Sequence, residues 1–249
     1  MNKAYWQKLV RKYHRYLGVF FGIQFLFWTV GGLYFSWTNI KEIRGDNIRR
    51  AEPSLKINQS KISLSSIINE LKNKDGLDSV KSVQIVDILG TSYFQIGYYN
   101  QGNVAYRLIN INTGLIKSTI SKEEAILIAQ SRLNVNATPS SVAIITNTNG
   151  HHEYREKPLP AYAVKFEGKI HTTVYVAANL GTVQTLRNNQ WRVFDFLWML
   201  HVMDYENRDN INNWILRIFS ILGLVTIASG FILYYLTYKK SNPSSLTRR

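Results

Sequence analysis

Histidine is the residue type through which this chain could do chemistry. The 249 residues include five histidines and no cysteine, which excludes disulfides, thiolate metal sites and thiol catalysis. None of the short motifs of zinc peptidases, serine hydrolases, P-loops or dinucleotide-binding folds is present. His14 shares one helical face with Gly18 and Gly22, a notch that a second helix or a flat ligand can approach closely. His14 is therefore either an axial ligand to a metal-centred cofactor or a histidine that faces lipid headgroups.

His201 lies in the apolar stretch 191–205, which is too short to span a membrane. We expect this stretch to form an amphipathic helix at a membrane interface, with Arg192, Asp195 and Asp204 in water. Asp204 follows His201 by three residues, so its carboxylate could hydrogen-bond a ring nitrogen and fix the tautomer. His201 is then either a metal ligand or an interfacial histidine satisfied by Asp204 and headgroups.

The sequence around the other three histidines gives weaker indications of a metal or cofactor site. His151 and His152 precede Glu153 in a polar loop, and adjacent side chains on a loop chelate a metal poorly without a further partner. A solvated loop is the favoured interpretation there. His171 lies in a Gly-Lys-Ile-His turn before a strand and is expected to be structural.

Two apolar segments must position His14 and His201. Residues 16–37 contain no charged side chain, and residues 213–238 carry a single charge, near their start. At about 1.5 Å per residue, each segment is long enough to cross a hydrocarbon core of about 30 Å. We therefore predict two transmembrane helices.

Polar and small residues inside these segments predict how the helices pack. Gln24, Thr226 and Ser229 are expected to hydrogen-bond across helices, because an unsatisfied polar group in hydrocarbon is costly. Gly223 and Gly230 are seven residues apart and are expected to form a packing seam, either between the two helices or with a partner.

The distribution of charge predicts the orientation. Five basic residues lie in the tail 1–15 and four in the tail 239–249, and neither tail contains an acidic residue. The positive-inside rule puts both tails in the cytoplasm and the middle of the chain outside. Topology thus accounts for much of the net charge of +14, and nucleic acid is not an expected partner. We predict a two-pass protein of a bacterial cytoplasmic (inner) membrane, with the bilayer as a partner and an extracytoplasmic, periplasmic central domain.

The central region predicts two copies of one α+β unit. After a polar linker at 38–60, a helix signal from Ser60 to Asn73 and a series of short strand-like runs occupy 60–118, and the same order returns over 120–186. Each helix is expected to lie across its own antiparallel sheet.

Local signals support this duplication. Ser121 and Glu124 have the spacing of a capping box at the start of the second helix. Gly114 and Gly181 stand in equivalent turns, about 60–70 residues apart, as a repeat of this size requires.

The second copy resembles a known family. Residues 120–129 (ISKEEAILIA), the Tyr-x-Val-x-Phe strand at 162–166 and residues 174–183 (VYVAANLGTV) are similar to a PepSY domain, and 60–118 resembles it more weakly. The run from His14 to Gly18 resembles the entry signature of PepSY-associated transmembrane proteins, although Tyr16 stands where Trp is usual. Leu200-His201 and Ser229-Gly230 fit the same pattern, whereas longer family members carry three or four spans. The implied fold is two transmembrane helices flanking an extracytoplasmic domain of two PepSY-like helix-plus-sheet units.

The resemblance implies heme chemistry, because relatives include heme-containing siderophore reductases and proteins of iron-uptake loci. His14 and His201 are then the expected heme-iron ligands, supported by Gly18, Gly22 and Asp204. The predicted topology places the two histidines near opposite membrane faces, so each heme needs a second ligand from another membrane subunit or a second copy of this chain. The implied function is a heme-binding or redox accessory subunit linked to iron uptake, with electron transfer across the membrane, and at most one subunit of a reductase.

A second function stays open. Soluble PepSY domains are associated with inhibition of secreted peptidases, and this sequence has no catalytic motif. The alternative is a non-enzymatic membrane-anchored protein whose extracytoplasmic domain binds a partner, regulates a peptidase or assists assembly.

Overall fold

The computed structural model describes residues 3–52, 62–168 and 170–238, which form an α+β fold as the sequence predicted. The helices are α1 (Lys3–Trp37), α2 (Ile40–Ile43), α3 (Leu64–Asp75), α4 (Lys122–Ser131), α5 (Asn189–Val202) and α6 (Trp214–Thr237). The strands are β1 (Ser79–Ile88), β2 (Thr91–Asn100), β3 (Asn103–Asn110), β4 (Ile116–Lys117), β5 (Pro139–Ile145), β6 (Ala161–Phe166), β7 (Thr172–Ala177) and β8 (Thr182–Arg187). They divide into two compact units, a helical unit (residues 3–37 and 195–238) and a sheet unit (residues 38–194).

The helical unit consists mainly of α1 and α6, which are long enough and apolar enough to cross a membrane. Only 17% of the most apolar window of α1 and 11% of that of α6 are buried within the structure. A core helix of a soluble protein buries its apolar side chains, so this exposure agrees with the two predicted spans.

The start of α1 differs from the predicted boundary of its span. The uncharged segment 16–37 is only the second part of the helix, which begins at Lys3 and includes the described part of the basic tail. Lys and Arg are good helix formers, so the charged residues continue the helix instead of ending it. The C-terminal tail 239–249 lies outside the described residues.

The sheet unit contains the predicted duplication. Each copy is one helix, α3 or α4, followed by a four-stranded antiparallel meander in sequential strand order. Even an irregularity repeats, because the register shifts between Val80 and Ser82 in β1 and between Pro139 and Ser141 in β5. The two copies therefore share strand order and the position of a bulge in the first strand.

Each helix begins and packs as its sequence dictates. Ser121 Oγ accepts from Glu124 N, and the Glu124 carboxylate accepts from Ser121 N, which confirms the capping box of α4. The first helix was expected from Ser60 to Asn73. Within the described residues, α3 begins after its N-cap Ser63, and Ser60 itself lies outside them. Apolar residues of both helices cover the sheets, with Ile67 and Leu71 of α3 packed among Phe94, Ile96 and Tyr98 of β2.

The two copies share part of one core. Ile88 of β1 and Leu108 of β3 are buried in the cluster that α4 and β6 to β8 build. The turn at Gly181 has φ +64° and lies against both side chains, where a β-carbon would collide with Ile88. Gln95 Nε2 also donates to Leu180 O at 2.8 Å, so the first sheet supports a turn of the second.

Residues 38–52, expected as part of a polar linker, are ordered against the second copy. Ile43 of α2 is 2% exposed, and Arg49 forms an isolated antiparallel bridge with Leu133. Arg50 N donates to Arg132 O at 2.8 Å. This stretch is therefore a packed part of the sheet unit, while the rest of the expected linker lies outside the described residues.

Candidate functional site in the helical unit

The candidate site begins at the seam where α1 and α6 pack together. A β-carbon on Gly223 would lie 3.1 Å from Phe25 Cζ, and one on Gly230 would lie 3.4 Å from His14 Cε1. Both glycines are therefore positions where a side chain of α1 comes close to the backbone of α6. This confirms the predicted glycine seam and assigns it to the two long helices.

His14 is fixed in this seam by a short hydrogen-bond relay. Its Nδ1 lies 2.7 Å from Ser229 Oγ, and Ser229 Oγ donates to Thr226 O at 2.6 Å. A hydroxyl has one proton, so Ser229, having donated to Thr226, accepts from His14 Nδ1–H. The neutral imidazole then carries its proton on Nδ1 and an available lone pair on Nε2. A partner that holds one ring nitrogen in this way is how proteins prepare a histidine as a metal ligand.

The glycine notch beside His14 is open on α1. A β-carbon on Gly18 or on Gly22 would meet no atom within 4 Å among the described residues. Phe21 lies on the same face and is 1% exposed, with its ring 4.9 Å from that of Phe219. Phe21 thus contacts α6 through Phe219, and space remains at the two glycines.

His201, at the end of α5, lies in a cluster of aromatic rings. Its ring stacks on Trp198 at 6.2 Å and 14° and lies 5.7 Å from Phe35 and 5.9 Å from Trp28, between ring centroids. Nδ1 is buried without a hydrogen-bond partner among the described residues, and a β-carbon on Gly31 would be 3.9 Å from it. Sequence spacing missed Trp28, Gly31 and Phe35, because their contacts depend on how α5 packs on α1.

Two polar side chains of α1 hold the end of α5. Gln24 Nε2 donates to Leu200 O at 2.8 Å, and Trp28 Nε1 donates to His201 O at 2.9 Å. The last carbonyls of a helix have no partner within the helix, so these two donors satisfy groups that would otherwise be costly to bury. The predicted cross-helix role of Gln24 is confirmed, whereas Thr226 Oγ1 bonds to Leu222 O of its own helix.

Asp204 does not hydrogen-bond Nδ1 of His201, contrary to the expectation. Helix α5 ends at Val202 and Met203 adopts φ +54°, so the three-residue spacing no longer brings the side chains together. The Asp204 carboxylate accepts instead from the backbone N–H groups of Glu206, Asn207 and Asn210. Burial raises the pKa of Asp204, but these backbone donors outweigh burial and hold the pKa below its ordinary value.

Two of the three charged residues that were expected in water along 191–205 are buried. Asp195 is 4% exposed and pairs with Arg208, and Asp204 is 6% exposed. Arg192 is partly exposed and pairs with Glu153 at 2.8 Å. The amphipathic pattern missed these pairs because it assigns charges to solvent by default.

The histidines of the sheet unit have structural partners or lie at its surface. His152 Nδ1 accepts from Tyr154 N at 3.0 Å, and Glu153 accepts from Tyr175 Oη at 2.6 Å. Burial, with the bond to Glu153, raises the pKa of Tyr175 far above its ordinary value. In the parts of the chain that the structure describes, no group of three His, Asp or Glu side chains is placed to hold a metal ion.

His14 and the residues of α1 that His201 contacts lie far apart along that helix. His201 contacts α1 from Trp28 to Phe35, and Trp28 is 14 residues after His14, or about 21 Å along the helix axis. One heme cannot join two side chains this far apart. A heme fits the donor chemistry of His14, whose Nε2 keeps its lone pair while Ser229 holds Nδ1. It does not fit the buried Nδ1 of His201, which faces Gly31 among three aromatic rings.

Comparison with protein-family models, with curated proteins and with solved structures finds no match for this chain.

Proposed function

We propose that this chain is a two-pass inner-membrane protein of PepSY type that binds heme through His14 as an accessory subunit of a redox or iron-uptake system. The observation that supports this proposal is the relay from His14 Nδ1 through Ser229 Oγ to Thr226 O, which leaves Nε2 available. Bound heme would supply one-electron redox chemistry. A second protein ligand would have to come from another subunit or a second copy, because His201 packs too far along α1 from His14 to provide it.

In this proposal each residue of the site has a separate task. His14 would hold the metal through Nε2, and Ser229 holds the ring orientation and the proton on Nδ1. Gly230 lets the ring lie against α6, and Gly18 and Gly22 leave room for a flat group on α1. His201, in contrast, acts as a packing residue of the α5 end.

An absorption spectrum of the purified full chain from heme-replete cells tests the proposal. We expect a Soret band that His14→Ala abolishes and that Ser229→Ala weakens or shifts, since the ring loses its fixed orientation. His171→Ala is the matched control, because it removes an imidazole from the sheet unit, and it should leave the band unchanged. A colourless wild-type protein contradicts the heme proposal.

Orientation is tested independently of heme. A reporter fused after Arg249 should behave as cytoplasmic, and one inserted near Asn149 in the sheet unit should behave as exported. The reverse pattern contradicts the inner-membrane topology that the charge distribution supports.

The second candidate function is partner binding by the sheet unit. Within the part of the chain that the structure describes, strands β1 and β5 each pair on one side only. Both expose apolar residues, including Val83 and Ile144. Such edges can accept a strand from a partner, although the bulge in each strand limits how much of the edge is regular. A photo-crosslinker at Val83 should capture a defined partner in cells, and one at Lys72 on α3 should not. Equal yields at both positions contradict strand addition at β1.

A further inference from the structure

One face of α1 changes from cationic to apolar along its length. Lys8, Lys12, Arg15, Val19 and Ile23 follow one another at spacings of three or four residues, so they form a single stripe. All five side chains are exposed. The three cations form no ion pair with any described residue, and the first acidic residue of the chain is Glu42. The stripe therefore carries positive charge that no described acidic side chain neutralises.

The apolar part of the stripe lines a groove between α1 and α6. The groove has a volume of about 610 Å³ and includes Arg15 at its polar end, then Val19, Phe20 and Ile23. Phe219 of α6 forms its other wall and stacks on Phe20 at 5.8 Å between ring centroids. From Arg15 to Gln24, the last residue of α1 in the lining, the groove extends about 14 Å along the helix axis.

Charge and shape together indicate what occupies this groove. An occupant needs an anionic group for Lys12 and Arg15, and a slender apolar part for the channel beneath them. Guanidinium groups bind phosphate oxygens in pairs, and within a bilayer an acyl chain gains van der Waals contact in a groove that fits it. A free phosphate lacks the apolar part, and a neutral lipid lacks the anionic part.

We propose that this groove binds an anionic phospholipid, with its phosphate on Lys12 and Arg15 and one acyl chain along Val19, Ile23 and Phe219. The proposal rests on the membrane insertion of α1 and α6 but not on heme. The lipid is a specific ligand of the chain, distinct from the lipids that merely surround it. Because the cations precede the span, the binding site lies in the leaflet next to the N-terminus.

The test uses the full chain purified in a neutral detergent. Phosphatidylglycerol or phosphatidylcholine with identical acyl chains is added, and retained lipid is counted by native mass spectrometry. We expect preferential retention of one phosphatidylglycerol molecule and a raised unfolding temperature with that lipid only. Inorganic phosphate at the same concentration should change neither measurement.

Three variants distinguish a specific lipid-binding site from nonspecific electrostatic attraction of anionic lipid to the protein. Lys12→Gln with Arg15→Gln should lower phosphatidylglycerol binding by about tenfold or more, since each cation beside anionic lipid contributes roughly fivefold. Lys72→Gln with Lys122→Gln removes the same charge from exposed positions of the sheet unit and should leave binding unchanged. Val19→Trp fills the groove without changing charge and should also lower retention.

The outcomes decide between the alternatives. Equal retention of both lipids by the wild-type protein overturns the proposal, as does an equal loss in the two double variants. Unchanged lipid retention in Val19→Trp contradicts the proposal that an acyl chain occupies the groove. Absorption spectra of the same preparations report heme separately, so a colourless protein that still selects phosphatidylglycerol refutes heme binding alone.

Discussion

The imidazole of His14 lies against the backbone of α6 at Gly230, where a β-carbon would stand 3.4 Å from Cε1. That distance is an ordinary van der Waals contact for one methyl group and leaves no space for a branched side chain. The orientation of His14 therefore depends on a glycine in the other helix, 216 positions further along the sequence.

Substitutions at Gly230 should distinguish the effect of one added methyl group from that of a branched side chain. We expect Gly230→Ala to change the free energy of unfolding little, because the added methyl fits. Gly230→Val should destabilise the helical unit by about 1–3 kcal/mol, as overpacked cores do, and should displace His14 from Ser229. Reversible unfolding in mixed micelles measures both variants. Equal stability of the valine and alanine proteins would show that the seam can open without cost.

The buried Nδ1 of His201 can be given a partner at Gly31. A serine there places its β-carbon 3.9 Å from Nδ1, within reach of a hydroxyl hydrogen bond. Alanine is the better helix former by several tenths of a kcal/mol, so propensity alone favours Gly31→Ala. We expect Gly31→Ser to equal or exceed Gly31→Ala in unfolding free energy. A serine protein clearly less stable than the alanine protein contradicts this geometry.

The loop that follows α5 should lose stability in acid. The pKa of Asp204 is lower in the folded protein than its ordinary value of 3.8, so the ionised carboxylate stabilises the fold. This contribution is complete above the unfolded pKa of about 3.9 and is lost as the pH falls towards the lower folded value. Hydrogen exchange at Asn207 and Asn210 should accelerate relative to the α6 amides as the pH falls through this range. In Asp204→Asn the relative rates should no longer depend on pH there.

The two N-caps of the sheet unit offer a matched comparison. Ser121 Oγ accepts from Glu124 N in α4, whereas Ser63 makes no side-chain cap bond in α3. We expect Ser121→Ala to cost about 1 kcal/mol of unfolding free energy and Ser63→Ala clearly less. Thermal or urea unfolding of the full chain measures both. Equal costs would mean that capping geometry is not the source of the difference.

Much of the fold is predictable because its signals are local. The spans follow from uncharged runs, the strands from short strand-like runs, and the repeat from equivalent turns such as those at Gly114 and Gly181, which have φ +74° and +64°. The packing of α5 on α1 is not local, so no spacing rule identifies Trp28 as the donor to His201 O.

The prediction for Asp204 failed for a specific reason. Its spacing from His201 assumed that the helix continues, but the left-handed conformation of Met203 ends the helical path. Nothing about a methionine at that position signals a helix end, because glycine or asparagine usually occupies it. The predicted partner was therefore placed on a helical turn that does not exist.

The two copies of the sheet unit make unequal contributions to their shared core. Gly114 packs on Ile62 of its own copy, whereas its counterpart Gly181 packs on Ile88 and Leu108 of the other copy. The equivalent turns thus pack against different residues. The first copy supplies Ile88 and Leu108 to the hydrophobic core of the second copy. Removing the first copy would expose the apolar surface that Ile88 and Leu108 cover, so the core of the second copy is complete only when the first is present.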